Sequence, residues 1–182
     1  MKVKITGKIT PQGKKIFKEL QKLAKLRVKV GFTAEGKGHG ADDKPVTAKD
    51  YEDGPTIVEV AVWNEFGTYN IPERPFIRQS VEKNVKYIKA MCDKQLELIA
   101  GGKTDADTAL RTIGAMQVWL MQQEIVRGEF TENAPFTIHG GWMKNQKSGK
   151  LFYVKGKDSS TPLVDTGHMR ESIHYDVKPR EG

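Results

Sequence analysis

A chain of 182 residues with a net charge of +7 is long enough to bury one substantial core, so we expect a single domain spanning residues 1–182. The one cysteine, Cys92, excludes a disulfide framework, and we expect it to be a packed, inert thiol. No signal-peptide pattern opens the sequence and no run of 18 apolar residues occurs, which predicts neither secretion by that route nor a membrane span.

The charge is unevenly distributed along the chain. Residues 1–30 hold ten Lys or Arg against the single Glu19, whereas residues 31–73 hold nine acids against three bases. Opposite charges on two faces would suit a protein that stacks into a ring or onto another ring, because complementary potentials select the partner and the register.

The first predicted elements are a strand, a helix and a second strand. Residues 2–9 alternate charged and apolar side chains, Thr10 caps a helix that begins with Pro11, and residues 26–33 alternate again. Two strands joined by a helix are expected in one sheet, covered by the helix face that carries Ile16, Phe17, Leu20, Leu23 and Ala24.

The other side of this helix is rich in lysine. Three interpretations stay open: a solvated helix face, an assembly face for a neighbouring ring, and a surface that binds DNA phosphates without reading the base sequence. The lysines concerned are Lys14, Lys15, Lys18, Lys22 and Lys25.

The next segment combines a loop and a short helix. Residues 34–55 contain several glycines and prolines among acids, which predicts a mobile loop. Thr56 then opens a helix over residues 57–66, and the residues that we expect to face inward are Val58, Ala61, Val62 and Phe66.

A dense polar and aromatic segment follows, and it predicts a rigid elbow between two helices. Gly67 can end the first helix in the left-handed conformation, and Pro72 and Pro75 stiffen the connection. Pro75 also suits the first turn of the following helix. Glu65 is expected to be a structural acid that bonds to Arg74 or to the elbow amides.

Two further helices are predicted after the elbow. Over residues 75–100, apolar residues recur every three or four positions. Thr104 can cap a third helix, which runs to about Arg127 and has apolar residues all round, so we expect contacts on more than one side. The predicted buried stripe of the first helix is Ile77, Val81, Val85, Ile88, Cys92, Leu96 and Ile99.

Residues 129–158 interleave aromatic side chains, lysines and glycines. This composition favours a β-hairpin arm that gains order from a neighbour, with residues 151–154 as one strand. It also describes a single-stranded nucleic acid binder, in which bases stack on exposed rings. The candidate residues for either role are Trp142, Lys147, Lys150, Phe152 and Tyr153.

A late segment, residues 160–173, predicts a corner that leads into a strand over residues 173–177. Asp165 or Thr166 can cap a short helical turn there. Asp165-Thr166-Gly167 also matches the active-site loop of aspartic proteases, but too little sequence follows to build that barrel. We therefore interpret Asp165 as a structural acid.

The two dense segments together resemble the neck and tail-completion proteins of tailed bacteriophages, also called minor tail, virion-morphogenesis or tail-component proteins. In that family a helix ends in Asn/His-Glu-Phe-Gly-Thr, a loop reads Ile-Pro-x-Arg-Pro-Phe and a long helix follows. A late segment then reads Pro-Leu-x-Asp-Thr-Gly-x-Leu-x-x-Ser-Ile. Residues 57–100 and 159–178 match in kind. The matching positions are Asn64, Glu65, Phe66, Gly67, Thr68, Pro72, Arg74, Pro75, Phe76, Leu163, Asp165, Thr166, Gly167 and Ser172.

The predicted fold is α+β: a small, mostly antiparallel sheet packed against a long central helix, with variable loops at 34–55 and 129–158. The resemblance implies a structural virion protein of the neck or upper tail, which is assembled in the host cytoplasm and self-associates in a ring. Its partners would be other neck, connector and tail proteins. We expect no catalytic residue, cofactor, metal site or membrane contact. The alternative function is nonspecific DNA binding through the basic N-terminal region and residues 134–158.

Overall fold

The computed structural model describes residues 9–32, 36–47, 55–145, 149–156, 163 and 167–180, and these residues form an α+β fold as predicted. The helices are α1 (Pro11–Lys25), α2 (Ile57–Phe66), α3 (Phe76–Glu82), α4 (Val85–Ala100), α5 (Ala106–Arg127), α6 (Pro135–His139) and α7 (His168–Glu171). The strands are β1 (Leu26–Gly31), β2 (Lys37–His39), β3 (Pro45–Thr47), β4 (Gly140–Lys144), β5 (Leu151–Lys155) and β6 (His174–Pro179). Residues 2–8 of the predicted first strand lie outside the described residues.

The main sheet is antiparallel, and its strand order is β1-β6-β2-β3. β6 pairs with β1 along its whole length, from Gly31 opposite His174 to Leu26 opposite Pro179. It meets β2 through His39 and Tyr175. The predicted pairing of an N-terminal strand with the C-terminal strand is confirmed, and β6 lies inside the sheet.

The helix that packs against this sheet is α5, and not the 75–100 segment that the sequence pattern suggested. α5 contacts β1 and β6 on one side and α3 and α4 on another, as its all-round apolar pattern predicted. Gly114 makes this packing close, because a Cβ there would lie 2.4 Å from the Tyr175 ring. The core cluster consists of Ile57, Ala61, Phe76, Val118, Met121, Ile125, Met169, Ile173 and Tyr175.

The predicted helix over residues 75–100 is divided between Glu82 and Val85 into α3 and α4. The Asn84 side chain donates a hydrogen bond to the Ser80 carbonyl at 2.9 Å, at the point where the first helix stops. Because of this break, the two helices do not share the predicted apolar stripe. The buried residues are Phe76, Ser80, Gln95 and Ile99, whereas Val81, Val85, Cys92 and Leu96 are exposed.

The predicted mobile loop over residues 34–55 contains the β2–β3 hairpin, so residues 36–47 include two short strands that the prediction did not give. Asp43 anchors the hairpin turn, since its carboxylate accepts hydrogen bonds from the Tyr175 hydroxyl and from Arg111. These partners lie far away in the sequence, which explains why local composition did not indicate them. Residues 48–54 of the predicted loop lie outside the described residues.

The starts of α1, α2 and α5 are capped by side chains, as the sequence predicted with one correction. The Thr10 hydroxyl accepts from the Gly13 amide at 3.1 Å, and Thr56 forms a reciprocal capping box with Glu59. α5 is capped by Asp105, whose carboxylate accepts from the Thr108 amide at 2.9 Å. The prediction of Thr104 as the cap is therefore wrong by one residue.

The inner face of α1 differs from the predicted one. This helix packs on α4 and α5, and it has no completely buried residue. Ile16, Leu20 and Leu23 are half-buried, whereas Phe17 and Ala24, which were predicted to face inward, are exposed. The inward stripe of α1 is thus narrower than its apolar pattern.

Candidate functional site

The elbow between α2 and α3 is organised around Glu65, whose side chain is 3% exposed. Its carboxylate accepts from the Ile77 amide at 2.8 Å and from the Arg78 amide at 3.1 Å. The Arg78 guanidinium donates to the same carboxylate at 3.0 Å. Glu65 therefore satisfies the free amides at the start of α3, where the helix dipole also favours a negative charge. Glu65 is a structural acid as predicted, but the amides that it binds belong to the first turn of α3, directly after the elbow.

Arg74 has a different role from the predicted pairing with Glu65. The guanidinium is buried, and it donates to the carbonyl of Thr131 at 2.9 Å and to that of Glu132 at 3.1 Å. It also donates to the Asn64 side chain at 3.3 Å, and burial lowers the pKa of Arg74. Arg74 thereby joins the elbow to the segment that follows α5.

The turn of the elbow needs glycine at position 67. Gly67 has φ +72° and ψ 171°, so φ is positive, but the extended ψ means that the predicted left-handed helical conformation is not adopted. A Cβ there would lie 3.0 Å from the Glu73 amide nitrogen, which belongs to the backbone of the same turn. The Thr68 hydroxyl accepts from the Ile71 amide at 3.1 Å and closes the loop. Pro75 precedes the first helical residue of α3, Phe76.

The outward side of α2 is apolar. α2 has apolar residues around most of its circumference, and such a helix is normally covered on all sides. Val62 and Phe66 were predicted to face inward, but they are exposed, Phe66 by 65%. Trp63 is also exposed and Tyr69 is completely so. We refer to these four residues, Val62, Trp63, Phe66 and Tyr69, as the α2 face.

A groove runs beside the α2 face. It has a volume of about 300 Å³ and lies between α2, the end of β1 and α3. Its walls include Val30, Val58 and Ile77, and the Arg78 guanidinium lies 5.5 Å from the centre of the Phe66 ring. Trp63 and Tyr69 were not identified as site residues from the sequence, although the near absence of a polar side in α2 is a signal that could have indicated them.

The second motif segment packs close to the first. α7 contacts α2, and Met169 and Ile173 share one core with Phe76. Gly167 is the residue before α7 and has φ +80°, and Ser172 is buried. Leu163 also has a positive φ, of 64°. The predicted caps Asp165 and Thr166 lie outside the described residues.

The lysine side of α1 is exposed along its length, at Lys14, Lys15, Lys18, Lys22 and Lys25. Lys22 pairs with Asp107 at the start of α5. Several acids of the 31–73 segment also have basic partners, since Asp42 pairs with Lys44, Asp43 with Arg111, and Glu73 with Arg78. Part of the predicted charge separation is therefore neutralised within the chain.

Strands β4 and β5 form the predicted hairpin, which we refer to as the arm (residues 140–155). Its main neighbour among the described elements is α6. Trp142 and Tyr153 face each other across the strands, with ring centres 5.5 Å apart. The rings of Trp142, Phe152 and Tyr153 are exposed, and so is Lys150. Lys147 lies outside the described residues.

The described residues contain no cluster of three or more His, Cys, Asp or Glu side chains arranged to hold a metal ion. None of the helices formed by these residues combines the length and the apolar character that a bilayer span requires. No family model matches the chain, and neither the curated proteins nor the solved structures include a significant match. The resemblance to phage neck proteins therefore rests on the two motif segments alone.

Proposed function

We propose that this protein is a structural component of a tailed-bacteriophage virion, in the neck or upper tail, where it completes the tail and joins it to the head. The family in this proposal is suggested by the resemblance of the two motif segments to those of phage neck and tail-completion proteins. The observation that carries the proposal is the α2 face, an apolar surface left exposed beside the elbow that the first motif builds.

The elbow explains why the motif residues would be needed in such a protein. Glu65 and Arg74 are both buried and bonded to backbone groups, so they fix the directions of α2 and α3. A rigid frame keeps the entropy cost of assembly low, because the exposed side chains are already positioned. These residues serve a structural role in the proposal, and the protein acts by binding rather than by catalysis.

The proposed partners are other neck, connector and tail proteins, together with further copies of the chain in a ring. The lysine side of α1 would contact the next component. Charges at an interface rim mainly set orientation and association rate, and salt screens them.

The test is to locate the protein in virions of the phage that encodes it. Antibodies against the chain should label the junction of head and tail, and removing the gene should leave separate heads and tails. Reversing Lys14, Lys18 and Lys22 to Glu should leave a folded protein, because these side chains are exposed and the Lys22–Asp107 ion pair that the change breaks is itself at the surface. The reversal should nevertheless reduce stable joining. Normal particles without the protein would contradict the proposal.

Nonspecific DNA binding is a second candidate, favoured by the exposed rings and lysines of the arm. A filter-binding or fluorescence titration over a salt series would measure it. For the neck protein we expect weak binding without sequence preference, with an affinity that falls steeply as salt rises. Tight binding that the α1 charge reversal abolished would place the DNA-binding function first.

A further inference from the structure

The arm has apolar side chains on both of its faces. Residues that pair across two strands point to the same side, so Trp142 and Tyr153 occupy one face and Met143 and Phe152 the other. All four are exposed, Trp142 by 69%. A lone two-stranded hairpin is only marginally stable in water, and it needs a further apolar surface to hold it.

The α2 face offers a surface of the same character elsewhere on the chain. It is continuous with an apolar groove, since Val62 and Phe66 belong to both. Exposed aromatic and aliphatic residues beside a groove are typical of the centre of a protein interface.

The charges of the two surfaces are complementary. Residues 133–157 contain five lysines and no acid, whereas α2 contains the acids Glu59 and Glu65 and no Lys or Arg. On α2 itself, Glu59 is exposed and lies one turn before Val62 and Trp63, on the same side of the helix. A basic arm would therefore be drawn to the α2 face and away from a second arm or from the lysine side of α1.

The root of the arm is fixed to the body of the domain near the elbow. Arg74 holds the carbonyls of Thr131 and Glu132, and α6 follows directly and contacts β4. Phe136 of α6 packs on Gly141, where a Cβ would lie 2.8 Å from its ring. A neighbour that binds the arm is thus held in a set orientation to the domain that supplies it.

We propose that the arm of one copy docks on the α2 face of the next copy, so that copies assemble head to tail. The inference rests on the proposed function in that it specifies the contact by which the ring would form. Two different surfaces of one chain make a heterologous contact, which closes into a ring when the rotation between copies allows it.

Two double variants each disable one of the two surfaces. Trp142→Ala with Phe152→Ala removes the anchors of the arm, and Val62→Gln with Phe66→Gln makes the α2 face polar. Val85→Gln with Leu96→Gln on α4 is the matched control, because these side chains are also exposed and apolar but belong to neither surface. Circular dichroism and urea unfolding establish that each variant is folded before association is measured.

Sedimentation velocity and native mass spectrometry then give the sizes. The wild type and the α4 control should form oligomers that grow with concentration, and each surface variant alone should associate at least about tenfold more weakly. Mixing the arm variant with the face variant should give one-to-one heterodimers and nothing larger, since each pair retains a single intact contact.

A disulfide test covers the case in which a surface variant misfolds. In a Cys92→Ser background, a Glu59→Cys copy mixed with a Lys144→Cys copy should form an intermolecular disulfide. The control mixture, Glu59→Cys with Lys94→Cys on α4, should form none.

The proposal is overturned if the wild type stays monomeric up to about 1 mM, if the mixture gives no heterodimer, or if the crosslink does not form. A monomer whose tryptophan fluorescence responds to single-stranded DNA, with the response lost in the arm variant that lacks Trp142, would assign the arm to nucleic acid instead. Failure of the contact while antibodies still label the head–tail junction would refute this inference and leave the proposed function standing.

Discussion

Removing the Glu65 carboxylate should destabilise the fold through the elbow. Glu65→Ala leaves the Ile77 and Arg78 amides without their acceptor at the start of α3, in a partly buried position. Arg78 keeps its pairing with Glu73, so no isolated charge is left in the interior. The loss is therefore that of two amide hydrogen bonds at a helix N-terminus and of one bond from the half-exposed Arg78 guanidinium, which water can largely replace.

The expected magnitude follows from these bonds. An orphaned, partly buried amide costs about 1 to 1.5 kcal/mol, so Glu65→Ala should lower the free energy of unfolding by about 2 to 3 kcal/mol. In a domain of this size, such a loss corresponds to a decrease in Tm of about 5 to 10 °C. Glu65→Gln retains one acceptor oxygen, and we expect about half of the loss.

Urea unfolding followed by circular dichroism and tryptophan fluorescence measures the change. The control is Glu59→Ala, because Glu59 also caps a helix but is exposed, so that water replaces its carboxylate and the loss should be much smaller. A Glu65→Ala protein within about 0.5 kcal/mol of the wild type would refute the capping role. Equal losses at Glu65 and Glu59 would show that burial does not matter here.

Three further predictions concern other parts of the fold. Gly67→Ala should lower the free energy of unfolding by about 1 to 3 kcal/mol, because an L residue is strained at this positive φ and its Cβ meets backbone atoms. Gly101→Ala, at φ −81°, should change the stability much less, and similar losses in urea unfolding would contradict this reasoning. Val85→Asp should be tolerated because Val85 is exposed, but Ile99→Asp should prevent folding because Ile99 is buried. Circular dichroism measures the helix content of both variants, and the reverse result would show that the core described above is incorrect. Burial and the hydrogen bond to Asp43 raise the pKa of Tyr175 to about 12. The neutral phenol therefore stabilises the fold below pH 10, and this contribution is lost as the pH rises from 10 to 12. The urea midpoint of Tyr175→Phe should lack that part of the pH dependence, and an alkaline profile equal to that of the wild type would refute the contact.

The caps and the turn were predictable because their signals are local. Thr10 and Thr56 each precede a helix by one residue, and their hydroxyls bond to amides within the next turn. Gly67 needs positive φ for a turn that its own neighbours form. Such features depend on a few consecutive residues, which the sequence displays directly.

The faces of the helices were less predictable. An apolar periodicity places residues on one side of a helix but does not say whether the domain or a partner covers that side. Val62 and Phe66 fit an inward stripe equally well, and only the positions of β1 and α3 show that they are exposed. Likewise the break at Asn84 has no proline or glycine to announce it.

The β2–β3 hairpin could not be inferred from the sequence for a different reason. Its strands are very short, and its turn residue Asp43 has φ 59°, a conformation that aspartate accepts more readily than most residues. The stabilising contacts come from Tyr175 and Arg111, which are remote in sequence. Contacts of this kind become visible only once the sheet and α5 are in place.

The position of β6 inside the sheet has a consequence for how the protein is made. Its pairing joins Val28 to Val177, so a chain emerging from the ribosome cannot complete this sheet until nearly all of the described residues have been synthesised. Contacts between such distant residues form slowly, because a long loop must close before they stabilise the fold. A prematurely terminated product would lack β6 and would leave part of the sheet-facing side of α5 exposed to proteases. Only copies translated through β6 would therefore complete the main sheet.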